Sequence, residues 1–244
     1  MSTRRLLLDA GNTRLKWVMV EGGQWGEQGS AGYSDLTAVL RVLKSGTGCY
    51  IASVARAWQE EVINTLLAPF AITPTWLVAE TEFADVRNSY TQPQQLGVDR
   101  WMGLIAARQR TQAPTLVVSA GTAMTVDALT ADGVFLGGLI VPGVAMMQQA
   151  LQQGTARVAE VAGTWQVFPH TTPDAVESGI VAALCGAIQL QHARLAKTAG
   201  MLPHCILTGG DADRLLPHLT MAVEHAPALV LEGIDCVARE GTAG

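Results

Sequence analysis

The chain writes nearly the same phrase twice. Residues 5–13 read RLLLDAGNT, and residues 116–127 read LVVSAGTAMTVD, so Leu6, Ala10 and Gly11 recur as Leu116, Ala120 and Gly121 at one spacing. In each copy an apolar run suited to a buried strand is broken by a polar residue, Asp9 or Ser119. A glycine and short polar side chains follow it. One DAGNT alone is a serviceable hairpin turn, because Asp, Gly and Asn are turn formers. The same construction made twice in one chain points instead to a repeated architecture.

The segments around the two copies run in the same order. In the first half RLLLDAG, LKWVMVEG and QWGEQGSAG are strand candidates separated by turn residues. SDLTAVLRVLKSG is a helix candidate opening at Ser34 or Asp35 and closing at Gly46. CYIASVA, AWQEEVINTLLAPF and TPTWLVAE follow as strand, helix and strand, and DRWMGLIAARQRT puts Trp101, Leu104, Ile105 and Arg108 on one helical face. In the second half TLVVSAG, AMTVDALTADG and VFLGGLIVPG give three strands with a hairpin at ADG. AMMQQALQQG and the long PDAVESGIVAALCGAIQLQHARLAKTAG are helices, HCILTGG a strand and DADRLLPHL a short helix. PALVLEGIDCVARE is expected as a strand leading into a final helix, and residues 152–172 as irregular.

This pattern predicts an α/β protein of two similar domains, 1–113 and 114–244, with the final helix able to pack back on the first. Ligands of such sheets lie outside strand ends, where connections diverge. Two facing copies would set Asp9 and Ser119 on opposite walls of one cleft.

Composition removes several function classes. The net charge of −5, with no basic run longer than Arg4-Arg5, argues against a nucleic-acid footprint. The longest uncharged apolar stretch, 133–147, is interrupted by Gly137, Gly138, Pro142 and Gly143, too short and broken to span a bilayer. No signal-peptide core follows Arg5. Cys49, Cys185, Cys205 and Cys236 are scattered and read as free thiols of a reducing cytoplasm. The five histidines lack metal-ligand spacing.

The chemistry concentrates in turns. Gly11 and Gly121 let backbone amides approach a ligand, and Asn12, Thr13 and Thr122 add short polar groups suited to phosphate oxygens. Asp9 repels a phosphate unless a divalent cation lies between them, and Mg²⁺ commonly takes one or two carboxylates with waters and phosphates. Lys16 could neutralise terminal phosphate charge. Neither a Walker loop nor a GxGxxG sequence is present. In SYTQPQQLGVDRW a Pro-containing loop delivers Gly97, Asp99 and Arg100 to a helix start. Asp99 can be read as a helix cap. It can also be read as the acceptor of a hydroxyl proton, with Arg100 holding an anion. LTGGDAD is either a plain strand-to-helix turn or a place where a flat base lies on glycine backbone.

Taken in series, the DxGNT turn, SYTQPQQLGVDRW, AGTAMTVD, FLGGLIVPG, TTPDAVESGI and ILTGGDAD resemble the type III pantothenate kinases. These belong to the superfamily of acetate and sugar kinases, Hsp70 and actin. The resemblance runs from residue 5 to about 234. It implies two ribonuclease H-like (actin-like ATPase) domains facing across a cleft. The implied reaction is ATP-dependent phosphorylation of pantothenate, the first step of coenzyme A biosynthesis. A same-fold kinase for another small alcohol or acid, or a catalytically silent regulatory homologue, are the alternatives.

By position, Asp9, Ala10, Gly11, Asn12, Thr13, Arg14, Leu15 and Lys16 would hold ATP phosphates, joined by Thr122, with Asp9 meeting Mg²⁺ through the phosphates. Tyr90, Gly97, Val98, Asp99, Arg100 and Thr172 would line the pantothenate pocket, Asp99 being the proton acceptor. The family further implies a cytoplasmic homodimer with substrate pockets at its interface and a need for K⁺ or NH₄⁺. One departure stands out: the second turn normally begins with Asp, a ligand of the monovalent cation, and here the residue is Ser119. Its hydroxyl offers an oxygen without charge, so weaker K⁺ binding is expected. Asp127 is expected at a strand end rather than as a substitute ligand.

Overall fold

A computed structural model describes residues 4–155 and 162–240. The chain separates into two compact units, Met1–Arg110 with Ala228–Gly244, and Thr111–Pro227.

The first unit opens with β1 (Arg4–Ala10), β2 (Leu15–Glu21) and β3 (Gln24–Ala31), then α1 (Thr37–Val42), β4 (Gly48–Ser53), α2 (Ala57–Leu67) and β5 (Pro74–Trp76). A small antiparallel pair, β6 (Glu82–Phe83) and β7 (Val86–Asn88), precedes α3 (Val98–Arg110). The sheet order is β3-β2-β1-β4-β5. β1, β2 and β3 form an antiparallel meander, and β4 and β5 run parallel to β1 and β4.

The second unit holds β8 (Thr115–Ala120), β9 (Ala123–Leu129), β10 (Val134–Pro142), α4 (Val144–Gly154), α5 (Thr172–Ala199), β11 (His204–Thr208), α6 (Ala212–Leu215) and β12 (Glu224–His225). Its strands run β12-β11-β8-β9-β10, again a meander with two parallel strands added on the first strand's free side. The twofold sequence phrase therefore marks the first strand of two sheets built alike. The chain returns to the first unit with α7 (Leu229–Glu240).

Side chains alternate across a strand, and the alternation explains why Asp9 can interrupt an apolar run. Leu6, Leu8 and Ala10 face a core shared with Trp17, Val39, Ile63 and Leu67. Arg5, Leu7 and Asp9 take the opposite face, where α7 packs on β1 and α3 packs on β4 and α7. In the second unit Leu116, Val118 and Ala120 join Ile180, Val181, Leu184 and Ile188 of α5. Val117 and Ser119 take the other face.

Four expectations change. PALVLEG is helix rather than strand: Glu232 N donates to Ala228 O (3.0 Å), so α7 begins where the strand was expected. Leu229, Val230, Leu231, Gly233 and Ile234 are all buried, and an apolar run buried on every side carries no period by which a strand could be told from a helix. Gly233 is required because a Cβ there would lie 2.0 Å from Met102 O of α3. The edge strand is instead the short β12. Next, α1 spans only Thr37–Val42, since Asp35 is spent in the preceding turn, accepting from Thr37 N (3.1 Å) and Thr37 Oγ (2.6 Å). Third, Asp127 sits mid-strand in β9, opposite Val117 and Gly138 and buried, not at a strand end. Fourth, α4 continues through Gly154, so the irregular stretch starts later; residues 156–161 lie outside the described ones. Among the described residues no helix is long and apolar enough to cross a membrane.

Candidate active site

The β1–β2 corner is built by register. Asp9 pairs with Lys16 and Ala10 with Leu15, leaving Gly11–Arg14 to make the reversal, closed by Gly11 N donating to Arg14 O (3.1 Å). A Cβ on Gly11 would stand 3.2 Å from that same oxygen, so glycine keeps the corner tight. Ala10 and Leu15 are fully buried and can offer a ligand only backbone. Arg14 turns its guanidinium to β3, with Nε on Ser30 Oγ (2.8 Å) and Nη2 on Ser30 O (2.9 Å). Asn12 and Thr13 are exposed. Tyr33 Oη donates to Gly11 O (2.7 Å), and Gln59 Nε2 donates to Asn12 O (2.8 Å).

Asp9 is the buried acid of the corner. Burial pushes its carboxyl up to about 6, the facing Lys16 opposes the shift, and the Asp99 charge adds to it. That influence of Asp99 on Asp9 places the end of β1 and the head of α3 in one electrostatic neighbourhood. Asp99 is the second residue of α3, inside the first turn rather than capping it, and its Oδ1 accepts from the amide of Arg100 (2.8 Å). Burial raises its carboxyl above the ordinary range, while the Arg100 amide and guanidinium pull it down. A Cβ on Gly97 would lie 2.7 Å from Asp99 Oδ1, so the glycine leaves room for the carboxylate to hold this pose.

Arg100 is buried and donates from Nη1 to Tyr90 Oη (3.1 Å), with its guanidinium carbon 5.8 Å from the Tyr90 ring centroid. Val98 is buried and faces the protein. The loop carrying Tyr90 hangs on Asn88, which sequence reasoning passed over. Its Nδ2 donates to Glu80 O (3.2 Å) and Pro93 O (3.1 Å), and its Oδ1 accepts from Tyr90 N (3.1 Å). The first unit thus gathers Asp9, Lys16, Tyr90, Asp99 and Arg100.

In the second unit the β8–β9 corner holds Gly121 and Thr122, with Gly121 N donating to Ala123 O (3.1 Å) and Gly143 N to Thr122 O (3.0 Å). A Cβ on Gly143 would strike Gly121 O at 2.0 Å. Gly209 (φ 105°) lies so close to Ala120 that its Cβ would be 2.2 Å from the Ala120 oxygen. Backbone packing therefore accounts for Gly209 in LTGGDAD, whereas Gly210 borders open space. Ser119 lies in register with Thr208 on β11 and Thr125 on β9, a row of three neutral hydroxyls. Thr172 is exposed in the first turn of α5, whose cap is Thr171: Thr171 Oγ accepts from Asp174 N (3.3 Å).

Two buried acids, one beside a lysine on a glycine corner and one at a helix head beside an arginine, can serve a metal-bound anion and the proton of a hydroxyl. Comparisons with known proteins give the family. The profile of the type III pantothenate kinase family matches residues 5–194. A type III pantothenate kinase of Thiobacillus denitrificans is 59% identical over 244 residues, covering 100% of both chains. That of Nitrosospira multiformis is 42% identical over 243 residues, covering 98% of this chain and 93% of its own. Among solved structures, one described as a Baf family transcriptional activator from Campylobacter jejuni superposes with a TM-score of 0.64 at 20% identity, covering 98% of this chain and 100% of its own. Component A of (R)-2-hydroxyglutaryl-CoA dehydratase from Acidaminococcus fermentans gives 0.55 at 13% identity, covering 100% of both. The structural likenesses show the fold alone, α/β with two mixed sheets. The sequence matches span the full length, and by them the chain belongs to the type III pantothenate kinase family.

Proposed function

We propose that this chain passes the terminal phosphoryl group of ATP to the primary hydroxyl of pantothenate, with Asp99 accepting the hydroxyl proton. As a family member it is a pantothenate kinase acting in coenzyme A biosynthesis, and kinase chemistry implies ATP. The residue assignments are our reading. The observation that carries them is the pairing of Asp9 and Asp99 in one electrostatic neighbourhood, each with its own cation, Lys16 and Arg100.

Phosphoryl transfer is catalysed mainly by alignment and by neutralising phosphate charge, with one group to take the nucleophile's proton. The Gly11–Arg14 corner is assigned to the ATP phosphates, Lys16 to their charge, and Thr122 is kept as a further ATP contact. Asp9 fits Mg²⁺ carried on the nucleotide: a single carboxylate whose ionised form suffers from burial gains most from a cation. When bound, that ion would neutralise phosphate charge. Arg100, buried and steadied by Tyr90, is assigned to the pantothenate carboxylate. Gly97 and Val98 contribute backbone, and Thr172 is kept as a substrate contact. ADP release with and without pantothenate tests the reading; turnover indifferent to pantothenate would overturn it.

The monovalent cation yields one expected result. The hydroxyl row of Ser119, Thr125 and Thr208 supplies oxygens and no negative charge, so K⁺ is weakly held. Replacing K⁺ by Na⁺ at equal ionic strength is expected to change turnover by less than about twofold, whereas losing a bound ion that stabilises transition-state charge by several kcal/mol would lower it about a hundredfold or more. Strict dependence satisfied by sub-millimolar K⁺ would contradict this.

A homodimer is the assembly we favour. Between α4 and α5 lies an apolar groove of about 810 Å³, lined by Met147, Leu151, Val176, Ile180 and Ala183, with Thr172 at its edge. Ile140, Val167 and Phe168 of the same unit are also exposed, at 63%, 68% and 81%. Apolar surface gathered this way marks an association site, and a second copy of the chain suits it. Gly179 opens on the groove, and a Cβ there meets nothing within 4 Å. Gly179→Arg should therefore leave the fold intact and bring a charge into the contact. Light scattering is expected to give twice the 25.8 kDa chain mass for wild type and the single-chain mass for the variant. A monomeric wild type would exclude the dimer.

A further inference from the structure

We infer that Gln59 and Tyr33 are positioning residues that hold the β1–β2 corner in the form that receives phosphate; this rests on the reading of that corner as the ATP loop. The two side chains come from separate places, Gln59 from the first turn of α2 and Tyr33 from the stretch after β3, and they take consecutive carbonyls of the corner. Tyr33 Oη donates to Gly11 O at 2.7 Å and Gln59 Nε2 to Asn12 O at 2.8 Å.

A peptide unit is planar and trans, so its C=O and the following N–H point in opposite directions. Fixing Gly11 O toward Tyr33 turns the Asn12 amide the other way, and fixing Asn12 O toward Gln59 does the same for the Thr13 amide. The carbonyls, which would repel an anion, are engaged by the protein, and the N–H dipoles that follow them point away from those two contacts, on exposed residues. Successive outward amides are how backbone concavities bind anions.

The orientation of Gln59 is forced from both ends. Its Oε1 accepts from Arg56 N (2.8 Å), an obligatory donor, so the amide nitrogen must face Asn12 O. The side chain is 2% exposed, which keeps water from competing. Tyr33 is 9% exposed, and burial together with the nearby Asp9 and Glu60 charges pushes its hydroxyl up to about 12, so it remains a donor throughout the working range. Its ring meets Trp58 edge-on at 5.9 Å. The one α2 residue Gln59 thus both starts its helix and fixes the corner.

Two conservative changes separate positioning from folding. Gln59→Glu keeps the acceptor for Arg56 N but loses the donor to Asn12 O. Tyr33→Phe keeps the ring against Trp58 and loses only the hydroxyl. A neutral hydrogen bond is worth about 0.5–1.5 kcal/mol net, so each variant is expected to weaken ADP binding and raise KM for ATP about three- to tenfold. KM for pantothenate should stay near wild type in both variants, and the melting temperature should stay near wild type in Tyr33→Phe, while Gln59→Glu, which buries a carboxyl, melts lower. Calorimetric ADP binding reads the corner without any acceptor substrate. Wild type that binds ADP but ignores pantothenate would defeat the kinase assignment alone. Variants with unchanged ADP affinity, beside a wild type that turns over pantothenate, would defeat this inference alone. Equal losses for ATP and pantothenate in both variants, with a lowered melting temperature in Tyr33→Phe, would show a purely structural role and overturn it as well.

Discussion

Asp99→Asn is expected to abolish most turnover while leaving both substrates bound. Asparagine matches the carboxylate in size and can still accept from the Arg100 amide through its oxygen, so the helix start and the Gly97 contact survive. What disappears is a site for the hydroxyl proton. A positioned general base contributes about 10²–10⁴-fold, and kcat in an ADP-release assay should fall by that amount. KM for ATP and for pantothenate should move by no more than about threefold, since the change removes an interaction made in the transition state only.

The pH profile supplies a second measure. Burial raises the Asp99 carboxyl above the ordinary carboxylate range. A base must be ionised to act, so wild-type kcat should decline as pH falls through that raised value and recover above it. The variant, with nothing to titrate there, should lose this limb of the profile. A phosphoryl group leaving through a loose transition state asks little nucleophilic push of the alcohol, so the lower end of the range is the safer expectation. A rate within threefold of wild type would take Asp99 out of the chemistry.

The twin sheets were readable because their signal is local and repeated: an apolar run, a polar break and a glycine, set down once per unit. α7 was misread for the opposite reason. ALVLEGI is apolar at both helical and strand spacing, and only the approach to Met102, visible in three dimensions, explains why Gly233 sits there. The β6–β7 turn escaped notice because Ala84 and Asp85, at φ 48° and 63°, occupy left-handed positions without a glycine to announce them.

The site divides the same way. Asp9, Lys16, Asp99 and Arg100 stand in short motifs whose chemistry can be guessed, although spacing alone left Asp99 between cap and base. The groups that hold those motifs in shape left no trace in the sequence. Tyr33 reaches Gly11 across 22 residues and Gln59 reaches Asn12 across 47, each by a side chain meeting backbone. No periodicity records such a bond. Asn88, two residues before Tyr90, had a local signal as a turn former, yet its three backbone bonds depend on how the loop closes.

Asp9→Asn is expected to raise stability and destroy activity at once. The native carboxyl lies at about 6 against an ordinary 3.8, chiefly through burial. Between those values the folded chain holds a proton that the unfolded chain has released, so stability falls as pH rises through this window. Above it the charged carboxylate costs the fold about 3 kcal/mol at most. An amide carries no such cost. Losing the attraction to partly exposed Lys16 returns little of the gain, because solvent screens that pair. At pH 7 the variant should melt several degrees above wild type, and the difference should shrink as pH is lowered toward 4.

Turnover should move the other way, by about 10²-fold or more, as when an electrostatic contact to transition-state charge is removed. Nucleotide binding distinguishes the metal role from simple charge placement. Wild type should bind ADP more tightly with Mg²⁺ than without, and the variant should lose most of that difference, because the amide offers the ion a weaker ligand. A variant that is both less stable and still responsive to Mg²⁺ would mean that Asp9 is there for the hairpin. On the proposed reading, the cation carried by the nucleotide offsets the cost of burying this acid at the corner.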